Sequence, residues 1–423
     1  MSIEGSVNIT RDHYLNELKL RMNNGLVKVI TGIRRCGKSY LLNVLFYNYL
    51  ISAGVDDDHI IKVALDDLEN DYLHDAHCLN TYIKGKLIDD KPYYVFLDEI
   101  QEVDHFVPLL NGLRKIPNVD IYITGSNSKF LSSDIVTEFR GRGDQVHVYP
   151  LSFREFFSAS KLDFDEALNE YLIYGGRPVV LNRSVDELKA EYLNDLYKEI
   201  YLKDIKERYK IKNDAERGEL LDRIASYIGS LINSTKLENS LKSIRKSSLS
   251  RNTIEAYLKT FEDSFLIDSV QRFDIKGKKY IGSAKKFYFT DVGLRNARLN
   301  FRQIEETHLR KNIIYNELKI RGYSVDVGVV RINDRQENGS YKQKQLEIDF
   351  VLNRGSQRYY IQSALSTADP EKEKQELRPL IQIPDSFKKV IVVKDKIKPR
   401  RDQYGILTIS LKDFLLDEKA IDI

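Results

Sequence analysis

Eight residues near the amino terminus, Gly32-Ile-Arg-Arg-Cys-Gly-Lys-Ser39, have the types and spacing needed to hold a triphosphate. Gly32 and Gly37 carry no Cβ, so the chain between them can bend until successive N–H groups face inward as an anion nest. Ile33, Arg34, Arg35 and Cys36 supply the backbone of that nest, and Tyr40 opens the helix behind it, whose positive end adds attraction for phosphate. Lys38 is placed to reach the β- and γ-phosphates, and the Ser39 hydroxyl to ligate Mg²⁺. A second pair, Asp98-Glu99, closes the apolar run Tyr93-Tyr-Val-Phe-Leu97. In one reading Asp98 holds the metal shell and Glu99 polarises the attacking water; in the other the two acids simply open the next helix. Paired with the phosphate loop, the catalytic reading is the stronger, and the expected cofactors are ATP and Mg²⁺.

These groups need a parallel sheet whose strand tips converge. Leu26–Ile30 reads as the strand before the loop and Tyr40–Phe46 as the helix after it. Ile60–Leu65 is a second strand candidate, and a strand lying between the loop strand and the Asp-Glu strand points to the additional-strand branch of phosphate-loop ATPases. Ile9–Met22 reads as a short amphipathic helix. A strand over Asp120–Thr124 runs into Gly125-Ser-Asn-Ser128, where Ser126 or Asn127 is a candidate γ-phosphate sensor, Asn127 being the one adopted, and a helix N-cap is the alternative. Arg140 and Arg142, around Gly141, are candidate arginine fingers for a phosphate or a neighbouring subunit's nucleotide; a solvated turn is the bland alternative. A fifth strand follows over Gln145–Tyr149.

At 423 residues the chain is long enough for two or three domains, and 42% hydrophobic beside 30% charged residues is ordinary globular composition. No apolar run approaches the roughly 20 residues that span a bilayer, and the opening residues have no signal-peptide core, so no membrane partner is expected. Cys36 and Cys78 make no disulfide framework, which suits a reduced cytoplasm, and neither they nor the seven scattered histidines have zinc spacing. A net charge of +3 is too small to argue for a polyanionic partner.

The ordered series ITGIRRCGKSYLL, YYVFLDEIQEV, ITGSNSKFL, FRGRGDQVHVYPLSFREFF and YLIYGGRPVV resembles a group of prokaryotic AAA-type ATPases related to the archaeal and signal-transducing ATPases. The resemblance runs from about Ile9 to the C-terminus. It implies an α/β architecture with a P-loop AAA-type ATPase core over 1–150, a helical lid over 151–214 and a restriction-endonuclease-like domain over 301–423; the residues themselves add a winged-helix domain over 215–300 and make the last domain one expected to be inactive. In the Gly175-Gly-Arg-Pro178 turn the resemblance puts a lid segment, with Pro178, near the adenine; Arg177 stands where the family more often has an apolar residue.

In the middle segment three helices are expected, the third over Ser250–Glu262 with Ser250 as N-cap and Ile254, Tyr257, Leu258 and Phe261 as its buried face. Strand-like runs Leu266–Phe273 and Lys286–Thr290 flank the basic loop Lys276-Gly-Lys-Lys279, the layout of a winged helix. Between Lys236 and Lys286 there are 12 Lys/Arg against 6 Asp/Glu. Arg251 and Asn252 at the helix start, with Lys276, Lys278 and Lys279 at the wing, are the candidate contacts to double-stranded DNA; a packing or protein-binding module is the alternative.

A helix glutamate, a strand aspartate and an acid-x-lysine form the metal site of restriction-endonuclease-like enzymes. Glu317 and Asp349 fit the first two positions, but Gln362-Ser-Ala364 replaces the third, so the site is read as degenerate and nuclease activity is not expected. The favoured reading is an ATPase whose cycle moves the C-terminal modules, with DNA, an unidentified protein or a second copy of the chain as partner. An ATP-controlled oligomerisation or signalling switch is the alternative, and an ATP-gated nuclease ranks below both.

Overall fold

The computed structural model describes residues 9–125, 141–200, 205, 214–245, 249–335, 340–365 and 370–423. Strands β1 (Val27–Thr31), β2 (Ile60–Ala64), β3 (Tyr93–Asp98), β4 (Val119–Thr124) and β5 (Gly143–His147) form a sheet in the order β2-β3-β4-β1-β5, with every pairing parallel. All residues of β1 and β3 are buried, as expected of a parallel sheet covered on both faces. Helix α1 (Asp12–Leu20) and the helix after the loop cover one face. That second helix, α2, runs from Lys38–Tyr40 through a π-wound turn, Leu41–Phe46, into Tyr47–Ser52. Helices α3 (Ala76–Gly85) and α4 (Phe106–Leu113) cover the other face. The strand that separates β1 from β3 in the sheet is β4, whereas β2 lies at an edge. Chain order alone does not give that, because a right-handed parallel crossover can insert a later strand between earlier ones.

One polar pair is built into this core. Lys28, the second residue of β1, is fully buried, donates to Leu26 O at 3.0 Å and pairs with Asp120 of β4. Asp120 also accepts from the Tyr122 hydroxyl at 2.7 Å and from Asn23 N–H at 2.9 Å. Burial lowers the Lys28 ammonium's pKa, and the hydrogen bond and charge of Asp120 oppose that shift.

Helices α5 (Phe153–Ala159), α6 (Phe164–Tyr174), α7 (Pro178–Leu181) and α8 (Asp186–Glu199) follow. The first two start at capping boxes, Ser152 with Glu155 and Asp163 with Glu166. Helices α9 (Asp214–Ser226), α10 (Ser234–Arg245) and α11 (Arg251–Asp263) come next, and α11 buries Ile254, Tyr257, Leu258 and Phe261 behind a Ser250 cap.

The run Leu266–Phe273 is not one strand. Its first part, β6 (Ile267–Val270), pairs antiparallel with β9 (Lys286–Phe289). At Gln271 the chain changes sheets: β7 (Arg272–Asp274) pairs parallel with β10 (Ser324–Arg335), and β8 (Lys279–Tyr280) folds back on β7. Ile275 belongs to the core on the far face of that second sheet, with Phe273 packed against it, and their burial explains the switch. The second sheet is completed by β11 (Tyr341–Arg354), β12 (Gln357–Ala364), β13 (Lys388–Val393), β14 (Arg400–Arg401) and β15 (Leu407–Ser410), in the order β14-β15-β13-β12-β11-β10-β7-β8. It therefore recruits residues 272–280 from the segment expected to belong wholly to the preceding domain. Helix α12 (Val292–Arg298) lies against α6 and α8; α13 (Glu306–Ile320), α14 (Pro370–Ile381) and α15 (Leu411–Leu416) complete the chain.

Candidate nucleotide site

The stretch Gly32–Ser39 joins the C-terminal tip of β1 to α2. Gly32 has φ 145°, and a Cβ there would collide with Val148 O, so only glycine fits. Gly37 has φ 99° and caps the helix in the left-handed region. Ile33 and Cys36 point into the core, the Cys36 thiol donating to Val148 O at 3.3 Å, while Ser39 and Tyr40 are exposed. Lys38 is buried; its ammonium donates to Gly32 O at 3.0 Å and Ile33 O at 3.4 Å. The Arg35 guanidinium meets Glu199 at the end of α8 at 2.8 Å.

Asp98 ends β3 beside this loop. Its Oδ1 accepts from the Ser39 hydroxyl at 3.1 Å and from the Thr124 hydroxyl, and its Oδ2 accepts from Asn43 Nδ2 at 2.9 Å. Burial raises the Asp98 pKa, against the lowering effect of the Thr124 and Ser39 hydrogen bonds. Among the described residues its hydrogen-bond partners are two hydroxyls and an amide, none of them charged. A buried carboxylate compensated only by neutral groups, with a hydroxyl 3.1 Å away, is a donor set that suits a small hard cation. Glu99 has φ 54°; its N–H donates to Thr124 Oγ1 at 3.0 Å and its carboxylate accepts from Gln101 Nε2. Thr124 thus ties the Asp98 carboxylate to the backbone of the next residue.

Asn127 and Arg140 lie outside the described residues, as does Ser126. Arg142 is exposed at the start of β5, where its carbonyl accepts from Val27 N–H at 3.0 Å. That is the opposite end of β1 from the phosphate loop, roughly 16 Å away for five strand residues. Arg142 is not brought to this chain's own loop. Pro178 is the first residue of α7, and the residue before it, Arg177, is fully buried with its guanidinium on the loop itself, donating to Arg34 O at 2.8 Å.

Arg251 and Asn252 are exposed at the start of α11, but Arg251 pairs with Glu255 at 3.0 Å on the same helix. The remaining charged residues of α11 are Lys259 against Glu262 and Asp263. Lys276, Lys278 and Lys279 are exposed on the β7–β8 hairpin, which is docked on the second sheet, with Lys276 Nζ 3.5 Å from Arg331 O.

In the C-terminal sheet, Asp349 is buried on β11 and accepts from Lys311 at 2.5 Å and from Ser363 N–H at 3.0 Å, with Lys286 at 3.5 Å. Burial raises its pKa, but the Lys311 and Lys286 ammonium groups override this and hold it below the usual range. Gln362 does meet it, accepting Asp349 N–H at 3.2 Å and donating to Glu376 at 2.7 Å. Glu317 does not. It pairs with Arg321 at 2.8 Å, and burial raises its pKa against that pairing. The helix explains the separation: Glu317 is six residues past Lys311, about 9 Å along the axis and about 240° around it. The expected grouping of Glu317 with Asp349 is therefore corrected, and lysines occupy the surroundings of Asp349 instead.

Residues 24–157 match the family described as AAA domain, and residues 165–305 a domain of unknown function (DUF8612). An uncharacterized protein of Haemophilus influenzae is 32% identical over 414 residues, covering 96% of this chain and 98% of that protein. One from Methanocaldococcus jannaschii is 30% identical over 376 residues, 85% of this chain and 78% of its own length. The chain belongs to the family of these two proteins. Its N-terminal part is a P-loop ATPase core of the AAA type. The solved ORC1 protein of Aeropyrum pernix, in complex with DNA, overlaps 69% of this chain and 93% of its own at 10% identity and a TM-score of 0.31, too loose a superposition to carry a role across.

For this family member the sequence pattern left three site residues, Thr124, Asn43 and Arg11, unmarked, and singled out Arg177 without its contact to the loop. Thr124 and Asn43, both on Asp98, are isolated polar residues; only the position of Asn43 four residues after Ser39 hinted that it shares a helix face with it. Arg11 and Arg177 reach the loop from 25 and 143 residues away, a distance no local pattern signals.

Proposed function

We propose that the chain is a Mg²⁺-dependent ATPase. The observation that carries this reading is the convergence of the Ser39 hydroxyl and the Asp98 carboxylate, 3.1 Å apart, beside a glycine-bounded loop with a buried lysine. Gly32 to Tyr40 would hold the triphosphate, with backbone N–H groups turned to the phosphates and Lys38 exchanging the Gly32 and Ile33 carbonyls for phosphate oxygens. Ser39 and Asp98 would hold the metal. Bound Mg²⁺ would neutralise charge on the phosphate oxygens. Glu99 would accept a proton from water as its oxygen bonds to the γ-phosphorus and the bond to the bridging oxygen breaks. Gln101, already on the Glu99 carboxylate, keeps it oriented. Asn127 as γ-phosphate sensor, Pro178 beside the adenine, and Arg140 or Arg142 as a finger supplied to a neighbouring copy complete the proposal.

The rest of the chain is proposed to be moved by this cycle. Helices α9–α11 with β6 and β9 would act as a winged helix, and the eight-stranded sheet as a restriction-endonuclease-like unit without nuclease activity; the element order and the sheet support this reading. Lys276, Lys278, Lys279, Arg251 and Asn252 would meet duplex DNA in a cytoplasmic setting. A second reading, a switch that assembles with a protein, is favoured by one observation: α11 carries Glu255, Glu262 and Asp263, and Arg251 is engaged by the first of them. Among the described residues no helix is long and apolar enough to cross a membrane.

Steady-state ATP hydrolysis with and without duplex DNA, at two salt concentrations, tests both readings. Stimulation that fades with salt supports the DNA reading. Hydrolysis indifferent to DNA moves the partner to protein, and no hydrolysis under any condition removes the ATPase.

A further inference from the structure

An anion nest turns N–H groups inward, so the carbonyls of the same peptides must face outward and be held there. Two buried arginines from outside the loop do this. Arg11 donates to Cys36 O at 3.2 Å and Tyr149 O at 2.7 Å, and its Nε lies 3.2 Å from Glu155. Arg177 donates to Arg34 O at 2.8 Å, and its Nε lies 3.4 Å from Asp291. Both guanidiniums are almost wholly shielded from solvent.

The two anchors differ. Glu155 belongs to α5, next to the core, but Asp291 stands at the junction of β9 and α12, more than a hundred residues on. Its Oδ1 caps α12 through Leu294 N–H at 3.0 Å, and its Oδ2 accepts Gly176 N–H at 3.0 Å. The residue before it is gripped from the C-terminal unit: Asn316 of α13 donates to Thr290 O at 3.1 Å and to Phe289 O at 3.1 Å. Asn312 closes the same bend, accepting Phe289 N–H at 2.9 Å and donating to its carbonyl at 2.7 Å. A continuous polar path therefore runs from α13 through Thr290 and Asp291 to Arg177 and the Arg34 carbonyl.

The geometry points to Arg177 as a positioning residue that sets the phosphate loop and links triphosphate affinity to the seating of the Phe289–Asp291 bend against α13. This rests on the nucleotide-site reading above and adds its regulation: a partner that shifts α13 changes how tightly the loop holds phosphate. Arg177 acts through the Arg34 peptide, so its loss removes pre-organisation that ground and transition states share, raising KM while sparing kcat.

The test uses the full chain, a fluorescent ATP analogue with Mg²⁺, and steady-state kinetics, for wild type, Arg177→Met, Arg177→Lys and Asn316→Leu, with Lys38→Ala as the control for loop binding. Arg177→Met is expected to raise Kd and KM about tenfold, the loss of one bond from a charged donor, with kcat at saturation within about threefold of wild type. Arg177→Lys keeps the charge but cannot span carbonyl and carboxylate together, and is expected to recover only part of the affinity. Asn316→Leu, which touches no loop residue, is expected to raise Kd about twofold to threefold. Wild-type Kd in either folded Arg177 variant, while Lys38→Ala abolishes binding, overturns the inference and leaves the nucleotide site standing. A wild type that does not bind the analogue overturns both.

Discussion

Thr124→Val keeps the shape of a side chain that holds two parts of the site together. The threonine hydroxyl donates to Asp98 Oδ1 and accepts Glu99 N–H at 3.0 Å; valine can do neither. A hydrogen bond to a charged group contributes about 1.5–3 kcal/mol. If all of it is expressed in the transition state, kcat falls about 10- to 150-fold, at roughly 1.4 kcal/mol per tenfold. The Glu99 N–H, left in a half-buried site without its acceptor, adds about 1 kcal/mol to the loss, and this part appears as stability rather than rate. Asp98, already shifted upward by burial, loses a partner that opposes the shift, so metal affinity falls too. The assay is steady-state hydrolysis against ATP and against Mg²⁺, for wild type, Thr124→Val and Thr124→Ser. Serine retains the hydroxyl and is expected to stay within about threefold of wild type. A folded valine variant with wild-type kcat and unchanged Mg²⁺ dependence would refute the reasoning.

Two further predictions concern stability. Lys28→Met leaves the Asp120 carboxylate buried without its cation and is expected to destabilise the ATPase core by about 3–5 kcal/mol, whereas Lys28→Met with Asp120→Leu recovers most of that; urea unfolding of both variants decides it, and a loss below about 1 kcal/mol in the single variant would count against the pair as described. Burial lowers the pKa of His147 from 6.5 to about 3, with the Lys319 and Lys38 charges adding to the effect. Between those values the unfolded chain takes up a proton that the folded one refuses, so stability present above pH 6.5 is lost as pH falls, by at most about 1.4 kcal/mol per pH unit from this group. His147→Gln should flatten that part of the pH dependence of the unfolding midpoint, and identical profiles for the two proteins would contradict the assignment.

The phosphate loop and Asp98-Glu99 were legible because each is a short motif fixed by its own flanking strand: an apolar run, then residues that can only sit at its tip. Other features depend on distance. Thr124 acts because β4 inserts between β1 and β3, and nothing local in Asp120–Thr124 announces that neighbour. The split of Leu266–Phe273 was hidden for a related reason. Apolar residues recur on both sides of Gln271, at Leu266, Ile267, Val270 and Phe273, but the two halves bury their side chains in different cores. Glu317 was misplaced because a motif gives an order of residue types along the chain and not the helical phase. Lys311, at the right phase, is a cation and so was not sought.

The most direct measurement is single-turnover and steady-state ATP hydrolysis by wild type and Glu99→Gln, with Lys38→Ala alongside. The account predicts Mg²⁺-dependent turnover in wild type. It predicts bound, unhydrolysed ATP in Glu99→Gln, because Gln101 and the loop remain while the proton acceptor is gone. In Lys38→Ala it predicts loss of binding. Normal hydrolysis by Glu99→Gln and Lys38→Ala together would contradict it.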